Sequence, residues 1–236
     1  MAETKNNIYG AATLITKGDW TPCQRHPLSI AMYDLGPELQ NATVEPGTNI
    51  LVSGPPLSGI RRLALAGVAH GANNGEGSVI ITTRDSSERV LADFRSLLED
   101  PDSADVGVVD CVTQHQGRSA SDTDTVKYAS SPVDMTGIGI KFSEFVEDFY
   151  ITRGLERNRV AVDSLSTLLT YSDPQTVFQF MHVLTSRIED AEAIGFHVLE
   201  STAHEPSEMN TLKQLFDGLV SVDEDESVTL QLPETA

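Results

Sequence analysis

Residues 49–65 read "NILVSGPPLSGIRRLAL", and the rest of the chain is read outward from them. The opening "NILVS" is β-rich and uncharged, as a strand covered on both faces requires. From Gly59 onward the segment carries the helix formers Arg, Leu and Ala. Between strand and helix lies "GPPLSGIR", which matches the spacing of a phosphate-binding loop, G-x-x-x-x-G-K-[ST]. Gly54 and Gly59 stand where that pattern needs them, but Ile60 holds the lysine position and Arg61 the hydroxyl position. The candidate phosphate cradle is therefore Gly54, Pro55, Pro56, Leu57, Ser58, Gly59, Ile60 and Arg61. Its backbone N–H groups and the helix dipole behind them suit an anion whatever the side chains are.

Strands and helices alternate on either side of this loop. Pro22, Pro27, Pro37 and Pro46 break any long helix in residues 1–48, which read as irregular. "SVIITT" at 78–83 and "DVGVVDCV" at 105–112 are strands, separated by the amphipathic helix "SSERVLADFRSLLED". Glu88 in that helix reads as an exposed capping-box residue. Residues 113–137 turn polar and read either as a surface loop or as a lid or partner-binding segment. A helix from about 139 to 153, a strand at 160–163, a helix at 174–193, the strand "FHVLEST", a helix around 209–216 and a terminal hairpin complete the chain. The β-α-β-α-β order predicts a mainly parallel sheet with right-handed crossovers, in one three-layer α/β domain over 35–232. Residues 1–34 are an irregular lead-in and 233–236 a tail.

In "NRVAVDSLSTLL" a hydrophobic strand ends in Asp163. Taken alone, that aspartate reads as a cap for the next turn. Downstream of a phosphate loop it has the form of a Walker B carboxylate, which orients magnesium or its water. Glu200 ends the strand "HVLE", and strand ends in such sheets face the ligand crevice. His182 and His197 read as helix-surface or core histidines.

Charge sets the environment. With 35 Asp plus Glu against 16 Lys plus Arg, the net charge is −19, and the acids are dispersed along the chain. Such a surface repels itself until salt screens it, which points to a salt-loving cytoplasm. The balance disfavours nucleic acid; 61–62 and the trio Arg153, Arg157 and Arg159 are the dense basic clusters. No apolar run reaches membrane-span length and the first residues lack signal-peptide character, so a cytoplasmic location is expected. Two cysteines give no disulfide framework. Cys23 with His26 and Cys111 with His115 raise the question of a zinc site, but neither spacing is that of a paired knuckle, and buried or solvated side chains are the expectation.

"VEPGTNILVSGPPLSG", "SVIITTRDSSERVL", "RVAVDSLSTLL" and "TLKQLFDGLVSV" occur in the order and approximate spacing of the RecA superfamily. Over about residues 35–232 the chain resembles the KaiC-like ATPases of archaea, in particular their shortened, degenerate haloarchaeal forms. The resemblance implies a RecA-type fold, ATP held by the loop after the first core strand, Mg2+ served by Asp163, and a polar sensor near Glu200. The family's paired glutamates, which polarise the attacking water, fall on Arg84 and Asp85, so Asp85 is the candidate base. Arg84 beside it would favour the ionised carboxylate and compete for its lone pairs.

Ile60, Arg61 and Arg84 change three separate parts of a phosphoryl-transfer site, and catalysis there rests on positioning and charge. The expected function is that of a catalytically impaired regulatory or scaffold partner, retaining at most feeble binding of ATP and Mg2+. Its partners would be other proteins, itself or an intact relative. The alternative is a slow ATPase with Arg61 or Arg62 in the lysine role, although the residue after the lysine position points about 100° away on a helix. From the charge alone, the midpoint of thermal unfolding is expected to rise steadily between dilute buffer and molar KCl. A midpoint insensitive to salt in differential scanning calorimetry removes the self-repulsion argument.

Overall fold

The computed structural model describes residues 31–204, 206–225 and 227–233. A short ribbon comes first, β1 (Tyr33–Asp34) and β2 (Thr43–Val44), paired antiparallel around a 3-10 turn at Pro37–Leu39. The core elements follow as β3 (Asn49–Gly54), α1 (Ile60–Asn73), β4 (Gly77–Thr82), α2 (Ser87–Arg95), β5 (Val106–Asp110) and β6 (Val126–Tyr128). Next come α3 (Met135–Glu147), β7 (Asn158–Asp163), α4 (Leu165–Tyr171), α5 (Pro174–Asp190), β8 (Ile194–Glu200), α6 (Pro206–Lys213), β9 (Gly218–Val222) and β10 (Val228–Gln231). The sheet runs β10-β9-β3-β8-β7-β4-β5-β6, parallel throughout except for the β9–β10 hairpin.

The expected three-layer α/β sandwich is what forms. Strand side chains alternate between two cores because successive residues face opposite sides of a pleated sheet. Ile50, Val52, Phe196 and Val198 meet α1 and α2 on one face. Leu51, Val160, Val162 and Leu199 meet α3, α4, α5 and α6 on the other. Every residue of β3, β4, β5 and β7 is buried, hence the near-continuous apolar runs.

Several local readings change. The ribbon starts at Tyr33, inside the lead-in taken as irregular, because Tyr33 is buried beneath Arg157 and its hydroxyl donates to the Glu192 carbonyl. The helix expected from about residue 139 begins at Met135, where Asp134 accepts the Gly137 N–H as N-cap, and it gives way at Asp148–Thr152 to a π-turn. Helix α4 was hidden in "SLSTLL", whose short apolar run continues the strand pattern until Ser164 caps it.

The polar segment 113–137 is built into the sheet. β6 pairs with β5, and its outward edge is closed by the residues just before it. Thr123 and Val126 exchange hydrogen bonds, and Asp122 Oδ1 accepts the Tyr128 N–H. Lys141 on α3 holds Asp122 at 2.6 Å. An edge strand that would template further pairing is thereby blocked.

The basic trio is spent on the frame. Arg159 is 1% exposed and donates to Glu76, the Gly67 carbonyl and the Asp34 carbonyl. Arg157 shares Glu76 and reaches the Ala31 and Met32 carbonyls, tying the ribbon to the base of β7. Arg153 pairs with Asp105 and Asp148.

Asp110, fully buried at the end of β5, organises the opposite end of the sheet. It accepts the N–H groups of Ser87, Val112 and Thr113 and the Thr113 hydroxyl. Burial alone would raise its pKa, but the Thr113, Ser87 and Val112 donors outweigh that and hold it below the ordinary carboxylate value. Asp110→Ala should lower stability by about 1–3 kcal/mol, since buried N–H groups lose their acceptor. A depressed folded pKa contributes stability above the ordinary value near 3.9 and loses it as pH falls through the folded one, so the gap between wild type and variant should close only below about pH 4. Urea unfolding at neutral and acid pH checks both.

Candidate functional site

Parallel register brings the ends of the central strands into one row. Gly54 lies beside Glu200, and Thr82 lies between Asp163 and Asp110. All the residues singled out from the sequence, Gly54 to Arg61, Asp85, Asp163 and Glu200, lie at these carboxyl ends, where open α/β sheets carry their ligand crevice.

The loop keeps its backbone form. A Cβ on Gly54 would lie within 2.8 Å of the Ser58 hydroxyl, the Ile60 side chain and the Val222 carbonyl, so the turn closes only on glycine. Gly59 takes φ 80° as the N-cap of α1, a left-handed conformation that glycine adopts without cost. The Ser58 hydroxyl turns back to donate to the Pro55 carbonyl at 2.7 Å, and Leu57 stands fully exposed at the tip. Ile60, at the lysine position, is buried in the α1-side core.

Arg61, one residue on, is the centre of the site. Its Nε donates to Asp163 Oδ2 at 2.5 Å and its Nη1 to Asp93 Oδ2 at 2.5 Å, while Nη2 lies 3.5 Å from Asp85 Oδ2. Three elements and a loop thus converge on one guanidinium: α1, the end of β7, α2 and the turn after β4. Desolvation works against the charged Arg61, but Asp163, Asp93 and Asp85 outweigh it and hold its pKa above the ordinary value. Asp163 is 1% exposed; burial raises its pKa and Arg61 offsets that only in part. Its Oδ1 has no hydrogen-bond partner among the described residues, nor does Arg61 Nη2.

The surrounding backbone is fastened across strands. The Thr83 N–H donates to the Asp163 carbonyl, and the Ser164 N–H to the Thr83 hydroxyl, which donates in turn to the Ser164 carbonyl. The Asp163–Ser164 peptide is cis. Ser164 caps α4 by accepting the Ser166 N–H, and the Ser166 hydroxyl accepts the Glu200 N–H. Glu200 itself pairs with Arg84 at 3.4 Å. The expectation that Arg84 would serve Asp85 is therefore corrected: Arg84 turns to Glu200, and Asp85 meets Arg61 and Arg89.

Asp93, Arg89, Thr83 and Ser164 join the site without having been singled out. A charged residue on an amphipathic helix reads as solvated, and nothing in the linear order of α2 places Asp93 opposite Arg61. Of the zinc candidates, Cys23 and His26 fall outside the described residues. Cys111 is buried, with its thiol pKa pushed up by burial and by Asp110 and Asp134, and the His115 ring meets Tyr171 edge-on. Among the described residues no group of three His, Cys, Asp or Glu could hold a metal. Nor, among them, is any helix long and apolar enough to cross a membrane. His197, fully buried, bonds Asn49 Oδ1 at 3.0 Å, and burial pushes its pKa down to about 3.

A family model spans residues 47–222, from the turn before β3 to the end of β9. The chain belongs to DUF7504, a family of unknown function. No curated protein matches this DUF7504 chain in sequence. Among solved structures it resembles an uncharacterized protein, PH0321, from Pyrococcus horikoshii, crystallised in complex with an unknown peptide; the TM-score is 0.61 at 12% identity, over 81% of this chain and 86% of that one. It also resembles the KaiC-like protein PH0186 from Pyrococcus horikoshii OT3, with a TM-score of 0.54 at 13% identity over 86% of each chain. The DUF7504 chain therefore has the RecA/KaiC-like fold.

Removing Arg61 leaves Asp163 buried without its counter-charge. Arg61→Ala should cost roughly 3 kcal/mol, the low end for breaking a buried pair because Arg61 is itself one-fifth exposed. Asp163 then takes a still higher folded pKa, so the loss is full above that pKa and shrinks as pH falls toward about 4. A destabilisation equal at pH 5 and pH 8 in chemical unfolding would contradict this arrangement.

Proposed function

We propose that this protein is a catalytically impaired RecA/KaiC-like protein that works as a regulatory or scaffold partner through protein contacts. The observation carrying the proposal is the Arg61 guanidinium against Asp163. In the sequence frame of the phosphate loop, Arg61 stands where a hydroxyl would help hold magnesium and Asp163 where a carboxylate would do so. Here the two neutralise each other.

The residues present do not fit Mg2+ and a triphosphate. One guanidinium faces three carboxylates, an excess of negative charge that repels a triphosphate beside the loop, and the Asp163 carboxylate that would serve Mg2+ is taken up by Arg61. Ile60 offers no charge and is buried in the α1-side core. Arg62 is exposed on α1 and Arg61 is already paired, which leaves the slow-ATPase alternative without a lysine substitute in place. The loop keeps its glycine-closed backbone form, so the frame survives without the lysine and hydroxyl that would work on a nucleotide. The bound peptide of the PH0321 neighbour is in keeping with a protein-contact role for this fold.

Calorimetry with ATP and ADP in molar KCl and magnesium, on wild type and on Ile60→Lys/Arg61→Thr, tests the reading. Wild type should give no heat, and the double variant should bind. Magnesium-dependent turnover by pure wild type, lost in Asp163→Asn, would sink it.

A further inference from the structure

The two edges of the sheet are treated differently, and the contrast points to a partner. The β6 edge is closed by the chain's own Asp122 and Thr123. At the other edge the Asp223 N–H donates to Ser227 O, which fixes the hydrogen-bonding phase of the hairpin. By the two-residue period of an antiparallel ladder, Thr229 and Gln231 turn their backbone groups to β9, while Val228 and Leu230 turn theirs outward. Gln40 Nε2 reaches the Val228 carbonyl from outside, as that phase requires. Among the described residues nothing bonds the Leu230 N–H or C=O.

This open strand, "VTLQ", carries no charge, no proline and no bulge, the devices that keep an edge from pairing. An acidic turn lies at one end of it, and a lysine beside a single aspartate lies at the other. Asp223, Glu224 and Asp225 form the turn before it. Lys213 borders a cleft of about 390 Å³ at its far end, with Asp217, Phe216, Leu219, Gln231 and Leu232, and the Asp217 carboxylate is turned to the Asn49 N–H. Among the described residues Lys213 is the one lysine outside an ion pair, since Lys127 and Lys141 are both engaged.

We propose that β10 pairs antiparallel with β10 of a second copy of this chain, about a two-fold axis at Leu230, to form a continuous sheet across a homodimer. An antiparallel self-pair is isologous and closes at two copies. It also lays the acidic turn of one copy along the Lys213 end of the other, twice. A parallel partner strand would leave the acidic turns side by side. The proposal is independent of what the phosphate loop binds.

Sedimentation velocity in molar KCl over a range of protein concentrations tests it. Wild type should be a dimer. Thr229→Asp changes an exposed side chain and sets like charges across the axis, so the dimer dissociation constant should rise about tenfold or more while the thermal midpoint of the fold holds. Leu230→Pro removes one outward N–H and leaves the β9 ladder intact, and should give monomer. Lys213→Glu should weaken the dimer, and Lys213→Glu/Asp225→Lys should recover it. A wild type monomeric at every concentration overturns the proposal, as does a dimer indifferent to Thr229→Asp and Leu230→Pro. So does a co-purifying peptide, seen by native mass spectrometry, that occupies the edge in place of a second copy.

Discussion

Asp163 ends a strand buried on both faces, and where Asp110 in the same situation is met by N–H and hydroxyl donors, the Asp163 carboxylate is met by a positive charge. Arg61 supplies the charge from the first turn of α1, and in doing so joins the helix after the phosphate loop to the centre of the sheet. Asp93 and Asp85 then draw α2 and the turn after β4 to the same guanidinium. The crevice that RecA-like folds present at these strand ends is thus drawn together by a side chain of the protein itself.

The fold was readable from residues 49–65 outward because burial on both faces leaves a signature that few alternatives share: uncharged strands, punctuated by Gly and Pro, alternating with amphipathic helices. The terminal hairpin and the strand ending in Asp163 followed from the same rule. What escaped was short or conditional on tertiary contact. Helix α4 is seven residues long, too short for its periodicity to be told from a strand's. The sequence of 113–137 looks like solvent-facing loop because its work, closing a sheet edge through Asp122 and Thr123, uses polar groups. At the site, the position and identity of Arg61 were plain, but not its partners. Asp93 is an acid among many on a chain with net charge −19, and only folding sets it within 2.5 Å of Arg61.

Charge is distributed by sign as well as by number. Arg61, Arg153, Arg157 and Arg159 are all engaged in ion pairs inside the fold, and Glu76 alone serves two of them. Positive charge is spent on joining elements, and negative charge is left over for the surface. The ribbon over β7 illustrates the first use: Arg157 and Arg159 flank the Tyr33 ring at 3.7 and 5.5 Å while their N–H groups reach the backbone of the ribbon. An Arg-to-Lys exchange there would lose the planar fork that makes these simultaneous contacts.

The plug beside β6 bears on evolution as much as on stability. Asp122 and Thr123 act as a substitute strand, satisfying the outward face of β6 without any chain beyond it. A sheet stopped at one margin can gain strands only at the other, so insertions and fused segments have a single direction in which to extend it. The arrangement of elements is therefore polarised: the β5–β6 side is a finished border, and the side of the terminal hairpin is the one open to extension.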